Sequence, residues 1–257
     1  MPMTPVRLKE YVETYDVDLA ASCVVLDTDD TELIIGLGML GRRHNRSWIT
    51  RVGVLPYTRK MGAGSDIISK LVEDSIALGH EFTWLEVIHG NEPAHRLFLK
   101  NKFKQTRELM VLRRPPGTKI VDSHLITCPT KVENVGRDEA IEEFAADGNV
   151  PNWLNQPETF KNIENLSIKQ MVFSEGWKGR VFYEKTTLQL KRVIVQVLSG
   201  PPDQVTAAIL AWLHQQFPVP DAVCENFGVN DPRIQGYLRA GYFESFRRIE
   251  MVRHNQI

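Results

Sequence analysis

A glycine-rich segment between a predicted strand and a predicted helix carries the clearest chemistry in the chain. It reads Arg59-Lys60-Met61-Gly62-Ala63-Gly64 and follows Val54-Leu55-Pro56. Glycine lets the backbone approach a ligand closely, and the N–H groups at a helix start, together with the helix dipole, bind anions. A pyrophosphate is the ligand that this arrangement predicts.

Two other phosphate-binding motifs do not fit this segment. A Walker A loop requires Lys-Ser or Lys-Thr after the last glycine, and neither follows Gly64. The Rossmann pattern requires a third glycine where Ile67 stands, and it opens a βαβ unit rather than following a meander. An ordinary glycine loop that caps a helix remains the structural alternative.

The spacing of apolar residues predicts the elements around this segment. Short apolar runs bounded by turn residues predict a three-stranded meander before it, and apolar residues at helical spacing follow it. The predicted strands of this half span 22–26, 32–40, 48–54, 82–88 and 104–112, and its helices span 64–78 and 92–100. A break at Arg113-Arg114-Pro115-Pro116-Gly117 predicts a linker. We therefore divide the chain into domains 1–114 and 115–257.

The second half repeats the order of the first. Its predicted helices span 134–146, 157–166, 202–216 and 232–240, and its strands span 168–173, 180–183, 188–198 and 222–227, with a last strand to Val252. Residues of the two halves also match at a constant offset of 139. The matching pairs are Glu86 and Glu225, Asn91 and Asn230, Pro93 and Pro232, Leu99 and Leu238, and Phe103 and Tyr242. This pattern predicts two copies of one domain.

Residues 20–112 resemble the GNAT superfamily of N-acetyltransferases. The resemblance depends on Val52-Gly53-Val54, the segment Arg59 to Gly64, Glu86, Asn91, Ala94 and Lys102-Phe103. Leu85-Glu86-Val87 is also similar to the Leu-Glu-Val of ribosomal-protein N-terminal acetyltransferases. The resemblance implies an α/β fold with a splayed, mixed, mostly antiparallel sheet flanked by helices, present here as two tandem domains.

The resemblance also implies acetyl-coenzyme A as co-substrate. In the family, the strand before the loop offers backbone groups to the pantetheine arm, the loop binds the pyrophosphate, and an Asn binds the arm further along. The residues that we expect to bind acetyl-coenzyme A are Val52, Gly53, Val54, Arg59, Lys60, Met61, Gly62, Ala63, Gly64, Ser65, Asn91 and Phe98.

The chain departs from the family pattern in two places in its first half. Phe98 stands where a Tyr often protonates the leaving thiolate, and we expect it to pack on the thioester instead. The family's first strand and first helix, which normally build the substrate wall, are missing or shortened before residue 20. The second half departs further, because Leu198-Ser199-Gly200-Pro201-Pro202 replaces the glycine loop. Two prolines remove two N–H donors, so we expect little coenzyme A binding there.

The reaction implied is direct attack of a primary amine on the acetyl thioester. An amine with a pKa near 10.4 must first lose a proton, at a cost of about 4 to 5 kcal/mol at pH 7. Glu86 is the candidate base, acting directly or through a water, and His89 is a weaker one. A strand-surface carboxylate held in an ion pair is the alternative for Glu86.

The composition limits the partners. The chain has 31 Lys and Arg against 32 Asp and Glu, a net charge of −1, whereas nucleic-acid binders usually show a basic excess. Three scattered cysteines and the spacing of His80, His89 and His95 predict no metal site. The sequence shows no secretory signal and no apolar stretch long enough to span a membrane, so we expect a cytoplasmic protein.

Two functional hypotheses follow. In one, the first domain is an active N-acetyltransferase for a small-molecule or peptide amine, and the second is a degenerate copy. In the other, the chain holds acetyl-coenzyme A without turnover, as a sensor or scaffold. The acceptor and the oligomeric state do not follow from the residues.

Overall fold

The computed structural model describes residues 3–58, 62–119, 127–146 and 152–255. Within these residues it has seven α-helices and eleven β-strands. The helices are α1 (Pro5–Thr14), α2 (Ala63–Ala77), α3 (Glu92–Lys100), α4 (Arg137–Ala145), α5 (Pro157–Asn162), α6 (Pro202–Gln216) and α7 (Ile234–Arg239). The strands are β1 (Val17–Leu26), β2 (Ile34–Arg43), β3 (Arg46–Val54), β4 (Phe82–Ile88), β5 (Lys104–Arg114), β6 (Lys131–Asn134), β7 (Leu166–Val172), β8 (Lys178–Lys185), β9 (Gln189–Ser199), β10 (Asp221–Gly228) and β11 (Phe243–His254).

The chain divides into two compact units. The first unit contains Met1–Glu108 and Arg248–Ile257, and the second contains Leu109–Arg247. The predicted domains are 1–114 and 115–257. The structure differs from them because the last residues of the chain belong to the first unit. Arg248–Ile257 lies in the first unit because β11 pairs with β4 from Arg248 to His254.

The first unit has a mixed, mostly antiparallel sheet with strand order β1-β2-β3-β4-β11-β5. Strands β3 and β4 of this sheet pair in parallel, and within the described residues their register runs from Arg46 opposite Phe82 to Ile49 opposite Leu85. Both strands continue past this point, β3 to Val54 and β4 to Ile88. The two strands therefore form a fork, and the splayed mixed sheet expected from the sequence is confirmed.

A β-bulge in β3 lies just beyond the fork point. Between the pairs Leu37–Gly53 and Met39–Thr50, β3 has one residue more than β2. Arg51 is the residue with a positive φ, 54°. A bulge bends its strand and increases the local twist. The last residues of β3 thus stay paired with β2 and turn away from β4.

Helix α2 packs closely against this sheet because two residues of β2 beneath it are glycines without side chains. A Cβ added at Gly38 would lie 2.4 Å from Ile67 Cγ2 and 2.8 Å from Leu71 Cδ1. At Gly36 it would lie 3.0 Å from Ile67 Cδ1. Ile67 and Leu71 are fully buried in the core of the first unit. The small residues of β2 therefore set where the helix, and with it the helix N-terminus, can lie.

The end of β11 is fixed in the first unit by apolar and polar contacts. Ile249 and Met251 belong to the same core as α2. The Asn255 side chain is 1% exposed, and its Nδ2 donates to Ser75 Oγ at 3.0 Å and to the His80 carbonyl at 2.8 Å. These buried hydrogen bonds stabilise β11 beside β4.

The second unit has strand order β5-β10-β9-β8-β7-β6. Helix α6 begins and ends 139 residues after α2, and β10 begins 139 residues after β4. The repeat predicted from a few residues thus reappears in the elements. Two elements were not predicted, the helix α1 and the short strand β6, so the first helix is short rather than missing.

We expect Gly38→Ala to lower the free energy of unfolding by about 1–3 kcal/mol, because the added methyl group overpacks the contact with α2. Gly228→Ala is the matched control, since a Cβ at that strand glycine meets nothing within 4 Å. It should leave the free energy of unfolding within about 0.5 kcal/mol of the wild type. Chemical denaturation followed by circular dichroism measures both. Equal stability of the two variants would contradict close packing of α2 on β2.

Candidate functional site

The open end of the fork contains the first group of predicted site residues. Gly53 and Val54 pair with Leu37 and Gly36 of β2. Within the described residues, the register of β3 with β4 ends at Ile49, so Val52, Gly53 and Val54 lie beyond it. A Cβ added at Gly53 would meet nothing within 4 Å, so the face of the sheet is open at this residue. This edge of β3 is the place where a ligand can pair with the backbone.

The N-terminus of α2 contains the second group. Gly62 is its N-cap, with φ of 100°, in the left-handed region that favours glycine, and no side chain caps this end. Its carbonyl accepts from Ser65 N at 2.7 Å. Ala63 and Gly64 begin the helix. Uncapped N–H groups at a helix N-terminus form an anion site. Arg59, Lys60 and Met61 lie outside the described residues.

Gly64 brings the two groups together. A Cβ added there would lie 3.7 Å from Val54 Cγ2 and 3.4 Å from Leu97 Cδ2. The helix start is therefore next to the end of β3 on one side and to α3 on the other. Ser65 is exposed at the same end of the helix.

Helix α3 contains Asn91 and Phe98. Asn91 is the N-cap of α3, and its Oδ1 accepts from Ala94 N at 3.4 Å. Phe98 is 6% exposed and packs edge-on against Phe103, with ring centroids 6.2 Å apart. The structure thus gives both residues a local structural role, and their contact with a coenzyme stays a prediction.

Glu86 lies at the fork point, on the face of the sheet opposite α2. It follows Leu85, the last residue of β4 in register with β3. Leu85 and Val87 are in the core with α2, and alternation along the strand puts Glu86 on the other face. Its side chain is 7% exposed, and its Oε2 is 3.6 Å from Arg248 Nη1. The ion pair that the sequence left as an alternative is present.

Helix α1 covers the same face near the bulge, and sequence reasoning missed it. Tyr11 of α1 lies 2.5 Å, hydroxyl to hydroxyl, from Thr50, and the Arg51 guanidinium lies 4.4 Å from the Tyr11 ring centroid. Tyr15 packs edge-on against Trp48. Burial raises the pKa of Tyr11 to about 12, so its hydroxyl stays protonated at neutral pH. The signal for α1 was Thr4 followed by Pro5, a helix-start pair.

His89, the weaker base candidate, lies just after β4. Its side chain is 57% exposed, and its Nε2 is 4.0 Å from Glu108 Oε1. Arg248, in contrast, contacts the stronger candidate and was not found from the sequence. No sequence signal could have found it, because Arg248 and Glu86 are 162 positions apart and come together only through the pairing of β11 with β4.

The second unit contains the same fork, but its own side chains fill it. Strands β9 and β10 pair in parallel at Gln189–Asp221 and Leu190–Ala222. Arg192, with φ of 52°, marks a bulge in β9 as Arg51 does in β3. Counted from the bulges, Val193 and Val195 correspond to Val52 and Val54.

The Tyr237 side chain makes hydrogen bonds with the backbone groups at that second fork. Its hydroxyl donates to the Val193 carbonyl at 3.0 Å and accepts from Val195 N at 3.1 Å. Cys224 Sγ also lies 2.5 Å from the Val193 carbonyl oxygen. Tyr237 is fully buried, and this burial raises the pKa of its hydroxyl well above the usual value. At the matching position the first unit has Phe98, which has no hydroxyl to make these bonds.

The helix start of the second unit also differs. Pro201 is the N-cap of α6, Pro202 is its first residue, and no side chain caps it. A proline has no N–H to donate. The second unit therefore presents a weaker anion site as well as a filled fork.

Two absences hold for the described part of the chain. No group of three or more His, Cys, Asp or Glu side chains there is arranged to hold a metal ion. None of its helices combines the length and the apolar character needed to cross a bilayer.

Comparisons with known proteins give one family. The model of the acetyltransferase (GNAT) family matches residues 2–103. Among curated proteins, no sequence is similar enough to this chain to count as a match.

Solved structures of low sequence identity have the same fold. A GCN5-related N-acetyltransferase from Sphaerobacter thermophilus is 17% identical, with a TM-score of 0.63, over 91% of this chain and 80% of that one. A tandem GNAT protein from the clavulanic acid biosynthesis pathway is 11% identical, with a TM-score of 0.63, over 100% and 90%. A GCN5-related N-acetyltransferase from Anabaena variabilis ATCC 29413 is 12% identical, with a TM-score of 0.58, over 99% and 67%.

The family match covers the fork, the start of α2 and Glu86, and the structural likeness extends over both units. The mixed fold and the tandem arrangement expected from the sequence are confirmed. Residues 2–103 are therefore a domain of the acetyltransferase (GNAT) family, and this match supports an acyltransferase.

Proposed function

We propose that the chain is an N-acetyltransferase that moves the acetyl group of acetyl-coenzyme A to a primary amine, with one active site per chain, in the first unit. Enzymes of this family typically use acetyl-coenzyme A and act on small-molecule or peptide acceptors. The proposal keeps the predicted domains 1–114 and 115–257 as the two copies, with Arg248–Ile257 added to the first unit.

The contrast between the two forks carries this proposal. In the second unit, Tyr237 satisfies the N–H of Val195 and the carbonyl of Val193. In the first unit, the residue at that position is Phe98, and the corresponding edge of β3 lies beyond its pairing with β4. Backbone polar groups need partners. The amides of a pantetheine arm would supply them at Val52 and Val54.

The helix start supports the same pose. The uncapped start of α2 is adjacent to the end of β3 through Gly64. A pyrophosphate held at Gly62–Ser65 would therefore place the pantetheine arm along β3. Arg59 and Lys60 would add positive charge to this anion site, as the motif predicts.

The reaction we propose is direct transfer in a ternary complex. The amine nitrogen attacks the acetyl carbonyl carbon, the C–N bond forms, the C–S bond breaks, and coenzyme A leaves as a thiolate. Glu86 takes the proton that the amine gives up, directly or through a water. The thiolate then takes a proton from solvent. A thiol pKa near 8.5 makes the thiolate a fair leaving group even with Phe98 in place of Tyr.

A binding protein without turnover is the second candidate. The ion pair of Glu86 with Arg248 and the burial of Phe98 favour it, because both residues have structural partners. In that case acetyl-coenzyme A would bind to the first unit as a signal. Turnover separates the two candidates, since both predict binding.

Ser65→Glu should weaken the binding of acetyl-coenzyme A by about tenfold or more, because its carboxylate repels the pyrophosphate. A carboxylate in the first turn suits the helix dipole, so the fold should be kept. Ser65→Gln has the same shape without the charge and is the control. Calorimetry on the full chain should give one site per chain. Equal affinity of both variants would contradict the helix-start site, and two sites per chain would contradict a closed second unit.

Glu86→Gln should lower kcat by about 10²- to 10⁴-fold and leave the affinity for acetyl-coenzyme A unchanged, because it removes only a proton acceptor. Thiol release in the presence of a panel of primary amines measures the rate. Glu225→Gln, at the matching position of the second unit, is the control and should keep the wild-type rate. Binding without thiol release for any amine would favour the sensor instead.

Tyr237→Phe should lower the free energy of unfolding by about 1–3 kcal/mol, since it removes the hydroxyl that bonds the buried Val195 N–H and one of the two donors to the Val193 carbonyl. Tyr57→Phe is the control, because the Tyr57 side chain is 67% exposed. The binding stoichiometry should stay at one, since the aromatic ring still fills the fork. A Tyr237→Phe variant as stable as the control would show that these hydrogen bonds do not hold the second fork closed.

A further inference from the structure

The last strand of the chain places two charged residues beside Glu86. In the register of β11 with β4, Glu250 lies opposite Glu86, and Arg248 lies opposite Ile88. Directly opposed residues of antiparallel strands are on the same face, with Cβ atoms about 4.5–5.5 Å apart. The Glu250 side chain is 6% exposed and the Glu86 side chain 7%. Two nearly buried glutamate residues therefore lie opposite each other on this face.

Glu250 is held firmly from the other side. Arg107 binds it in a bidentate way, with Nε 2.7 Å from Oε2 and Nη2 3.1 Å from Oε1. Thr106 Oγ1 donates to the Glu250 carbonyl at 3.0 Å and to its Oε2 at 3.1 Å. Bidentate Arg–carboxylate pairs fix geometry as well as charge. Glu250 is thereby a fixed negative charge next to Glu86.

The contact of Arg248 with Glu86 is looser than that of Arg107 with Glu250. Its 3.6 Å separation is longer than a charge-assisted hydrogen bond, yet well within the range of strong attraction. The Arg248 side chain is 19% exposed and that of Glu86 is 7% exposed, so water screens this attraction only weakly. Strand β11 thus brings one positive and one negative neighbour to Glu86.

We propose that Arg248 and Glu250 are positioning residues for Glu86, with opposite effects on how readily its carboxylate takes a proton. An opposite charge nearby favours the ionised carboxylate, and a like charge disfavours it. Arg248 therefore keeps Glu86 ionised before the acceptor binds. Glu250 raises the tendency of Glu86 to accept the proton of the amine. This inference rests on the proposed role of Glu86 as the base.

Charged groups elsewhere on β3, β4 and β5 have partners of their own. At the end of β4, His89 lies 4.0 Å from Glu108 of β5. Near the bulge of β3, the Arg51 guanidinium lies over the Tyr11 ring of α1. On β5, Arg107 binds Glu250. Changes at Arg248 or Glu250 therefore test the two charged neighbours that β11 brings to Glu86.

The test is a carboxyl-carbon NMR titration of the full chain with labelled glutamate, in which Glu86→Gln identifies the Glu86 signal. Arg248→Met should move the Glu86 midpoint up by about one pH unit, and Glu250→Gln should move it down by about one pH unit. Arg247→Met is the matched control. It removes a positive charge one residue earlier in β11, on the opposite face, where Arg247 pairs with Glu244. Its midpoint should equal that of the wild type.

Opposite shifts are the result that a merely structural role would not produce. Arg248→Lys keeps the charge and should return the midpoint to the wild-type value, which guards against a folding defect in Arg248→Met. Shifts in the same direction, or no shift in either variant, would overturn the inference.

The same variants separate the inference from the proposed function. If thiol release depends on Glu86 while its midpoint is the same in all variants, the inference is wrong and the function stands. If the midpoints move as expected and no amine is acetylated, the function is wrong and the electrostatic arrangement stands. With both correct, the acidic limb of the pH–rate profile should move in the same two directions as the midpoints.

Discussion

The separation of β3 from β4 is the constraint on which the first unit depends. The two strands share four register pairs, and the bulge at Arg51 then turns β3 away. A strand edge without a partner leaves backbone polar groups that must find hydrogen bonds elsewhere. In the second unit the equivalent edge finds them in Tyr237. The same framework is thus closed by one hydroxyl group, and the first unit has Phe98 at that position.

For a ligand to contact both the fork and a helix start, the N-terminus of α2 must lie next to the open end of β3. The packing of α2 on the sheet determines whether it does. Helix α2 can start beside Val54 because Gly64 has no side chain between them, and it can lie low on the sheet because Gly38 leaves room for Ile67. Gly62 then turns the chain with a φ of 100°. Of these glycines, Gly38 avoids a clash with α2 and Gly62 supplies the left-handed backbone. Together with Gly64 they align the helix start with the open edge of β3.

Local signals predicted the repeated elements well. Strand β4, helix α3 and helix α6 have the predicted bounds, because strong period and clear punctuation by glycine and proline mark them. Strand β6 is four residues of mostly exposed, polar sequence, Lys131–Asn134, and offers no alternation to recognise. Helix α1 had a start signal at Thr4 and Pro5, but Thr14 is its one buried residue. The sequence therefore predicted the elements around the glycine motif better than the helix beside them.

Contacts across long sequence distances could not be predicted in the same way. Glu86 was a candidate because of its place in a strand near the motif, whereas its partners Arg248 and Glu250 come from the last strand of the chain. In a simple duplication that strand would belong to the second copy. Its pairing with β4, held by Asn255 and by Ile249 and Met251, instead makes it part of the first unit.

This assignment changes what the family domain contains. Residues 2–103 include the fork, the helix start and Glu86, but not the charges that flank Glu86. In the second unit, the strand beside Glu225 is β5. Its Leu112 lies opposite Cys224 and its Met110 opposite Phe227, so no carboxylate faces this part of β10 from β5. Its Glu225 carbonyl is also bonded by Asn155 Nδ2 at 2.8 Å. The two copies therefore differ in the strand next to the matching glutamate. Glu86, in the unit with the open fork, lies beside charged residues of β11, whereas Glu225 lies beside apolar residues of β5.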